Sequence, residues 1–428
     1  MSDEDRSPSR SGLARRLGPV DAVVIGLSSM LGAGVFAAFA PAAEAAGAGL
    51  LIGLLLAGAV AYCNATSSAA LAARYPESGG TYVYGRRRLG DRWGFTAGWG
   101  FVVGKTASCA AMALTFGHYA APEHPAPLAV VAVAALTAVN YFGVTKTAGL
   151  ARVLLAATAL ALVVVLIGIF GGGQLDADHL ARTPGPPAAG AGPFAVAAGI
   201  LQSAGMLFFA FAGYARIATM GEEVRDPRRT IPRAIPIALG IALVAYAVVG
   251  TALLLALGPQ RLAASTAPLV AATEGGRFGW SAAVARGGAA IASLSALLAL
   301  ITGIGRTTLA MARTGDLPGW LSAVHPKHRV PHRAELVLGV VVCALVLTLD
   351  VRGAIGFSSF GVLVYYAIAN AAARTLPEGE RPAPRWLPAV GLAGCAVLAA
   401  TLPPTAVLTG VGVLAVGIAG RALIRARR

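Results

Sequence analysis

Charge is what this chain has least of. Of 428 residues only 12% are Asp, Glu, Lys or Arg, with 19 acidic residues against 34 basic ones. No Asp or Glu falls in the central part of any long apolar run, and no acid is expected to be buried. That scarcity argues against an intramembrane enzyme, which needs an acid or base poised beside its reacting group. Histidine offers no substitute, since His118, His124, His179, His325, His328 and His332 all fall at the ends of apolar runs or between them. Cysteine is equally sparse. Cys63, Cys109, Cys343 and Cys395 sit inside apolar runs among small hydrophobes, which speaks against a disulfide framework or a metal site.

What is present is apolar length. Hydrophobic residues make up 57% of the chain and mean hydropathy is +0.71, more apolar surface than a water-facing domain of this size can hide. Runs of roughly 17 to 25 apolar residues recur throughout, and in hydrocarbon their backbone groups are satisfied only within helices. The runs do not alternate, which excludes a barrel. Twelve segments are predicted: 20–43, 50–73, 95–119, 127–144, 150–170, 194–221, 234–257, 287–311, 334–349, 355–373, 386–401 and 405–423. The fold class is therefore an all-α integral membrane protein, flanked by tails at 1–19 and 424–428. The first run is too long for a cleaved signal, so it is expected to be retained.

The formal net charge of +15 would point to nucleic acid in a soluble protein, but here it follows topology. Alternate connections carry 27 of the 34 basic residues, and the opposite set holds only Arg182, Arg261, Arg277, Arg286 and Arg352. Basic residues resist translocation, so both termini are expected in the cytoplasm of a multi-pass plasma-membrane protein. The expected partners are lipid and a small solute, with no nucleic acid. Gly- and Pro-rich connectors at 171–193 and 378–388 separate segments 20–171, 194–373 and 386–423.

Two glycine positions stand out at depth. The first segment holds Leu31-Gly32-Ala33-Gly34-Val35-Phe36, and the sixth holds Phe208-Phe209-Ala210-Phe211-Ala212-Gly213-Tyr214. Glycine lowers the cost of unwinding, and paired interruptions in corresponding helices point to a binding site. The same glycines equally suit close packing of helices, and the phenylalanines equally suit core or lipid. Lys105, about ten residues inside the third segment, is the one cation near the midplane. It reads as a proton carrier, as a fixed cation in place of sodium, or as a side chain reaching for the headgroups.

These stretches resemble the amino acid/polyamine/organocation permease superfamily. So do Gly221-Glu222-Glu223-Val224-Arg225-Asp226-Pro227 and Arg313-Thr314-Gly315-Asp316-Leu317-Pro318. The resemblance spans most of the first nine segments. It implies a leucine-transporter-like fold: two inverted five-helix repeats, two further helices, and alternating access around helices 1 and 6. It further implies that backbone at Gly32, Ala33 and Gly34 receives a substrate carboxylate, that carbonyls near Phe209 and Ala210 receive its ammonium, and that Phe211, Gly213 and Tyr214 shape the pocket. Arg216 would pair with Glu222 and Glu223 as an inner gate.

The expected activity is secondary transport of amino acids or similar zwitterions, without cofactor or catalytic residue. The alternatives are an exchanger or exporter of another organic solute, such as a polyamine or an organic anion, and a non-transporting sensor. Buried acids suited to a dication are missing, which favours neutral zwitterions. The driving ion is a proton or sodium. Many proton-coupled relatives carry a lysine in helix 5 where this chain has Ala161, whereas a sodium site would draw on Ser293, Ser295 and Thr302 of helix 8.

Overall fold

A computed structural model of the chain describes residues 17–75, 79–143, 148–181, 192–218, 224–378 and 384–426. Chain order runs α1 (Pro19–Met30), α2 (Ala33–Ala37), α3 (Phe39–Ala46), α4 (Leu50–Arg74), α5 (Thr81–Leu89), α6 (Asp91–Ala120), α7 (Pro125–Tyr141), α8 (Ala148–Gly171) and α9 (Asp178–Ala181). It continues with α10 (Pro193–Phe211), α11 (Ala215–Ala218), α12 (Pro227–Ala264), α13 (Pro268–Glu274), α14 (Ser281–Arg313), α15 (His332–Thr348), α16 (Val351–Arg374), α17 (Trp386–Ala400) and α18 (Pro404–Ala426). Nine helical stretches among the described residues are long and apolar enough to cross a bilayer. The shorter α7, α15 and α17 fall on the remaining predicted segments, so each of the twelve has a helical counterpart.

Local chemistry sets the boundaries. Proline, which lacks an N–H that a first turn would leave unused, opens α1, α7, α10 and α12. The Asp21 carboxylate accepts from the Gly18 N–H at 3.0 Å, and Asp350 caps α16 by accepting from Gly353 N–H at 2.8 Å. Gly47, at φ +55°, turns α3 back into α4. Several helices start earlier than hydropathy predicts: α6 includes Asp91 and Arg92, and α12 begins at Pro227 and runs on through Pro232 and Pro236. Charged first turns are invisible to an apolar window but are stable where they meet water and headgroups.

The sixth segment needs correction. Hydropathy predicts helix through Gly221, yet regular helix ends at Phe211, a 3₁₀ turn covers Ala212–Tyr214, and α11 is one short turn. Residues 219–223 lie outside the described part, and the predicted gate acids Glu222 and Glu223 with them.

Packing places the bundle interior around α6. At its crossing with α16, Gly100 and Gly104 lie against Gly361, and a Cβ on Gly104 would come within 3.2 Å of the Gly361 backbone. One turn on, the hydroxyls of Ser108 and Ser358 are 2.6 Å apart. By contrast α8 and α18 leave most of their apolar surface exposed, as lipid-facing helices do.

Candidate functional site

The first helix breaks where its glycines predict. α1 stops at Met30, Gly32 takes φ −86° and ψ −145°, and the helix resumes at Ala33. The break lies directly against that of α10. A Cβ on Gly34 would stand 2.7 Å from Ala210 Cα, and one on Gly213 would stand 2.3 Å from the Ser29 carbonyl oxygen. Glycine is required at both places by backbone contact.

Unwinding frees carbonyls that must find donors in a water-poor interior. Three tyrosines from neighbouring helices supply them. Tyr246 of α12 donates to Met30 O at 2.6 Å or to Ala210 O at 2.9 Å, bridging the two breaks. Tyr119 of α6 donates to Phe36 O at 2.9 Å. Tyr366 of α16 donates to Ala212 O at 3.3 Å, and the Lys105 ammonium donates to that same carbonyl at 3.3 Å. Sequence reasoning passed over these tyrosines. Their signal was available: a phenol deep in an apolar helix needs an acceptor.

Beside the breaks lies a cavity of about 170 Å³. Ser28 and Ser29 of α1, Phe101, Lys105 and Ser108 of α6, Phe209 and Gly213 at the second break, and Ser295 to Ala310 of α14 contribute to its wall. Of the residues singled out from the sequence, Lys105, Phe209, Gly213, Arg216 and Ser295 line it. Gly32, Ala33, Gly34, Ala210, Phe211 and Tyr214 stand in the packed layer behind. Phe211 meets Tyr246 edge-on at 5.0 Å, and Tyr214 stacks on Tyr366 at 5.0 Å. Lys105 is 6% exposed, so it points inward and does not reach a headgroup.

The hydroxyls named for sodium are dispersed. Ser295 faces the cavity, Ser293 is fully buried, and Thr302 donates to Asn140 Oδ1 of α7 at 2.9 Å. Ala161 packs against Gly288 so closely that a Cβ on that glycine would approach to 2.6 Å.

The expectation that no acid is buried is wrong in two places. Asp316 is 0% exposed, bonded by Arg86 at 3.1 Å, Arg421 at 2.8 Å and Arg425 at 3.3 Å. Glu335 is 1% exposed in the first turn of α15, against Gly305. Both sit near segment ends, and burial there comes from distant parts of the chain. Neither lines the cavity. Among the described residues no group of three His, Cys, Asp or Glu is placed to hold a metal ion.

Two discontinuous helices whose breaks meet beside a largely apolar cavity that holds a lysine and serine hydroxyls define a multi-pass membrane carrier. The match to a family model makes the class specific: the chain belongs to the amino acid permease family, whose model covers residues 21–373. An uncharacterized transporter of Mycobacterium tuberculosis is 61% identical over 407 residues, covering 95% of this chain and 90% of the relative. The chloroplastic cationic amino acid transporter 7 of Arabidopsis thaliana is 29% identical over 392 residues, 86% of this chain and 66% of the relative. A branched-chain amino acid permease of Bacillus subtilis is 24% identical over 397 residues, 87% of this chain and 83% of the relative.

Proposed function

We propose that this chain moves amino acids or similar small amino-acid-like solutes across the plasma membrane by alternating access, with both termini in the cytoplasm and with proton entry as the driving force. Residues 20–171 and 194–373 act as two inverted five-helix repeats, with 386–423 as the two further helices. The observation that carries the reading is the meeting of two helix breaks beside a cavity that contains a buried lysine. Backbone unwinding at membrane depth is costly and is retained where it serves a site. Among the described residues Lys105 is the one ammonium in that cavity, and a lysine in a low-dielectric site can exchange a proton as its surroundings change.

The relatives' names point to amino acids but to different side chains, cationic in one and branched apolar in another. Family membership therefore leaves the substrate to be read from this chain's own cavity. The test is accumulation of radiolabelled amino acids in proteoliposomes under an imposed pH gradient and, separately, a sodium gradient, with Lys105→Ala beside the native protein. Uptake that follows the pH gradient and disappears in Lys105→Ala is the expected result. Uptake that follows sodium alone would reject proton coupling, and no accumulation of any amino acid under either gradient would reject amino acid transport.

A further inference from the structure

Resting on the reading of this cavity as an amino acid site, we infer that it selects a solute of net negative charge, an amino acid with a carboxylate side chain, and that Lys105 receives that carboxylate. The first observation is the sign of the wall. Lys105, Arg216 and Arg306 all line the cavity, Arg216 with a partner of its own, and among the described residues no Asp or Glu lines it. Neither buried acid nearby lines the cavity, although Glu335 lies close enough to Arg306 to offset part of that guanidinium's charge, which leaves Lys105 as the cation the inference rests on. Asp316 is held by Arg86, Arg421 and Arg425, and Glu335 packs behind Gly305 on the far side of α14.

The second observation is the unsatisfied state of Lys105. An ammonium carries three donors, yet among the described residues the one acceptor for Lys105 is Ala212 O, at a long 3.3 Å and shared with the Tyr366 hydroxyl. Its neighbours along α6 offer little. Ser108 is within hydrogen-bond distance of Ser358, and Thr106 donates to its own helix at Val102 O. A buried charge with so few partners favours any occupant that brings an anion to it.

The third observation concerns what a solute's own ammonium would find. Met30 O and Ala210 O share the Tyr246 hydroxyl, Phe36 O accepts from Tyr119, and Ala212 O already accepts from Lys105 and Tyr366. Four carbonyls around the two breaks thus lie within reach of a phenol or of Lys105, which leaves them less open to a solute's ammonium. A lysine or arginine substrate would bring a second cation toward Lys105. At about 4 Å and an effective dielectric near 20, like charges repel strongly enough to weaken binding on the order of a thousandfold. An acidic side chain reverses that sign, and its α-amino group is outnumbered by two carboxylates.

The experiment is a selectivity panel on the purified full chain in proteoliposomes: labelled glutamate, aspartate, alanine, leucine, lysine and arginine, together with glutarate, a dicarboxylate without an amino group. Native protein is expected to take up glutamate or aspartate at least tenfold faster than lysine or arginine. Lys105→Gln is expected to lose that uptake a hundredfold or more. Lys105→Arg, which keeps the charge but cannot release a proton, is expected to retain binding and counterflow of the acidic substrate while losing accumulation driven by the pH gradient.

Preference for alanine, leucine, lysine or arginine in the native protein would overturn the inference and leave amino acid transport standing. Uptake of glutarate alone would keep the anion at Lys105 and reject the amino acid reading. No uptake of any member would reject both. Because the decisive comparison is made on the native chain, a variant that fails to fold does not blunt it.

Discussion

Asp316 does for the chain ends what Lys105 does for the cavity: one charge out of water organises several helices. Its carboxylate accepts from Arg86 of α5 and from Arg421 and Arg425 of α18, and the Tyr82 hydroxyl adds a bond at 2.9 Å. Burial pushes the Tyr82 phenol up from its ordinary value, with smaller hydrogen-bond effects from Thr314 and Arg86 in the other direction, so it stays a donor. Arg421 also lies 5.1 Å from the Phe95 ring centre. Removing the acid leaves buried guanidinium without its partner, a loss of about 3–5 kcal/mol when an ion pair is broken from one side. Asp316→Ala should therefore lower the thermal unfolding midpoint of detergent-solubilised protein clearly, and Asp316→Asn by less because two acceptor positions become one. An unchanged midpoint in Asp316→Ala would show that the network contributes specificity without stability. Lys105 was legible in the sequence because depth in a helix is a count of residues. The burial of Asp316 and Glu335 was not, since the groups that cover them lie far along the chain, more than a hundred residues away for Arg421 and Asp316.

At the scale of elements, the breaks were legible as glycines and the position of the first break followed from them. What sequence patterning missed was the end of helix at Phe211 and the donors that make it tolerable. Hydropathy carries no signal for a 3₁₀ turn, because Ala212, Gly213 and Tyr214 are as compatible with helix as with its interruption. The contact between breaks gives a sharp expectation. With Ser29 O only 2.3 Å from where a Cβ on residue 213 would stand, Gly213→Ala must push the two half-helices apart, and substrate flux should fall at least tenfold while the protein still reaches the membrane. Tyr246→Phe is milder sterically but removes the one donor that Met30 O and Ala210 O share. Stability should drop by about 1–3 kcal/mol, the cost of one buried unsatisfied group, unless water enters. Hydrogen exchange in the α1 to α2 junction reports which occurs: faster exchange confined to that junction marks opened breaks, and unchanged exchange would mean the hydroxyl bridge is dispensable.

For the whole molecule, the cavity runs along α14 from Ser295 to Ala310 and includes Gly79 beside α5, so it extends toward the C-terminal end of α14. On the opposite side Phe36 packs edge-on to Tyr119 at 5.7 Å, and Arg352 of α16 pairs with Glu44 of α3 at 2.5 Å in the wall of a separate cavity of about 590 Å³. Arg352 also bonds the Ala263 carbonyl at the end of α12, tying three helices together. Magnitudes decide how much closure to assign to that pair. Its side chains are 34% and 54% exposed, and such pairs contribute about 0.2–1 kcal/mol, at most about a fivefold shift between two states. The rings and the bonded carbonyls therefore hold that side, and the ion pair biases it. Ala299→Cys, placed in the cavity wall of a chain freed of Cys63, Cys109, Cys343 and Cys395, makes this measurable with a membrane-impermeant thiol reagent. Labelling should occur from the face at the C-terminal end of α14. Adding Arg352→Gln should raise labelling from the other face by a factor of about two to five, in keeping with the exposed pair. A rise of about a hundredfold would make Arg352 the lock, and the aromatic layer its accessory.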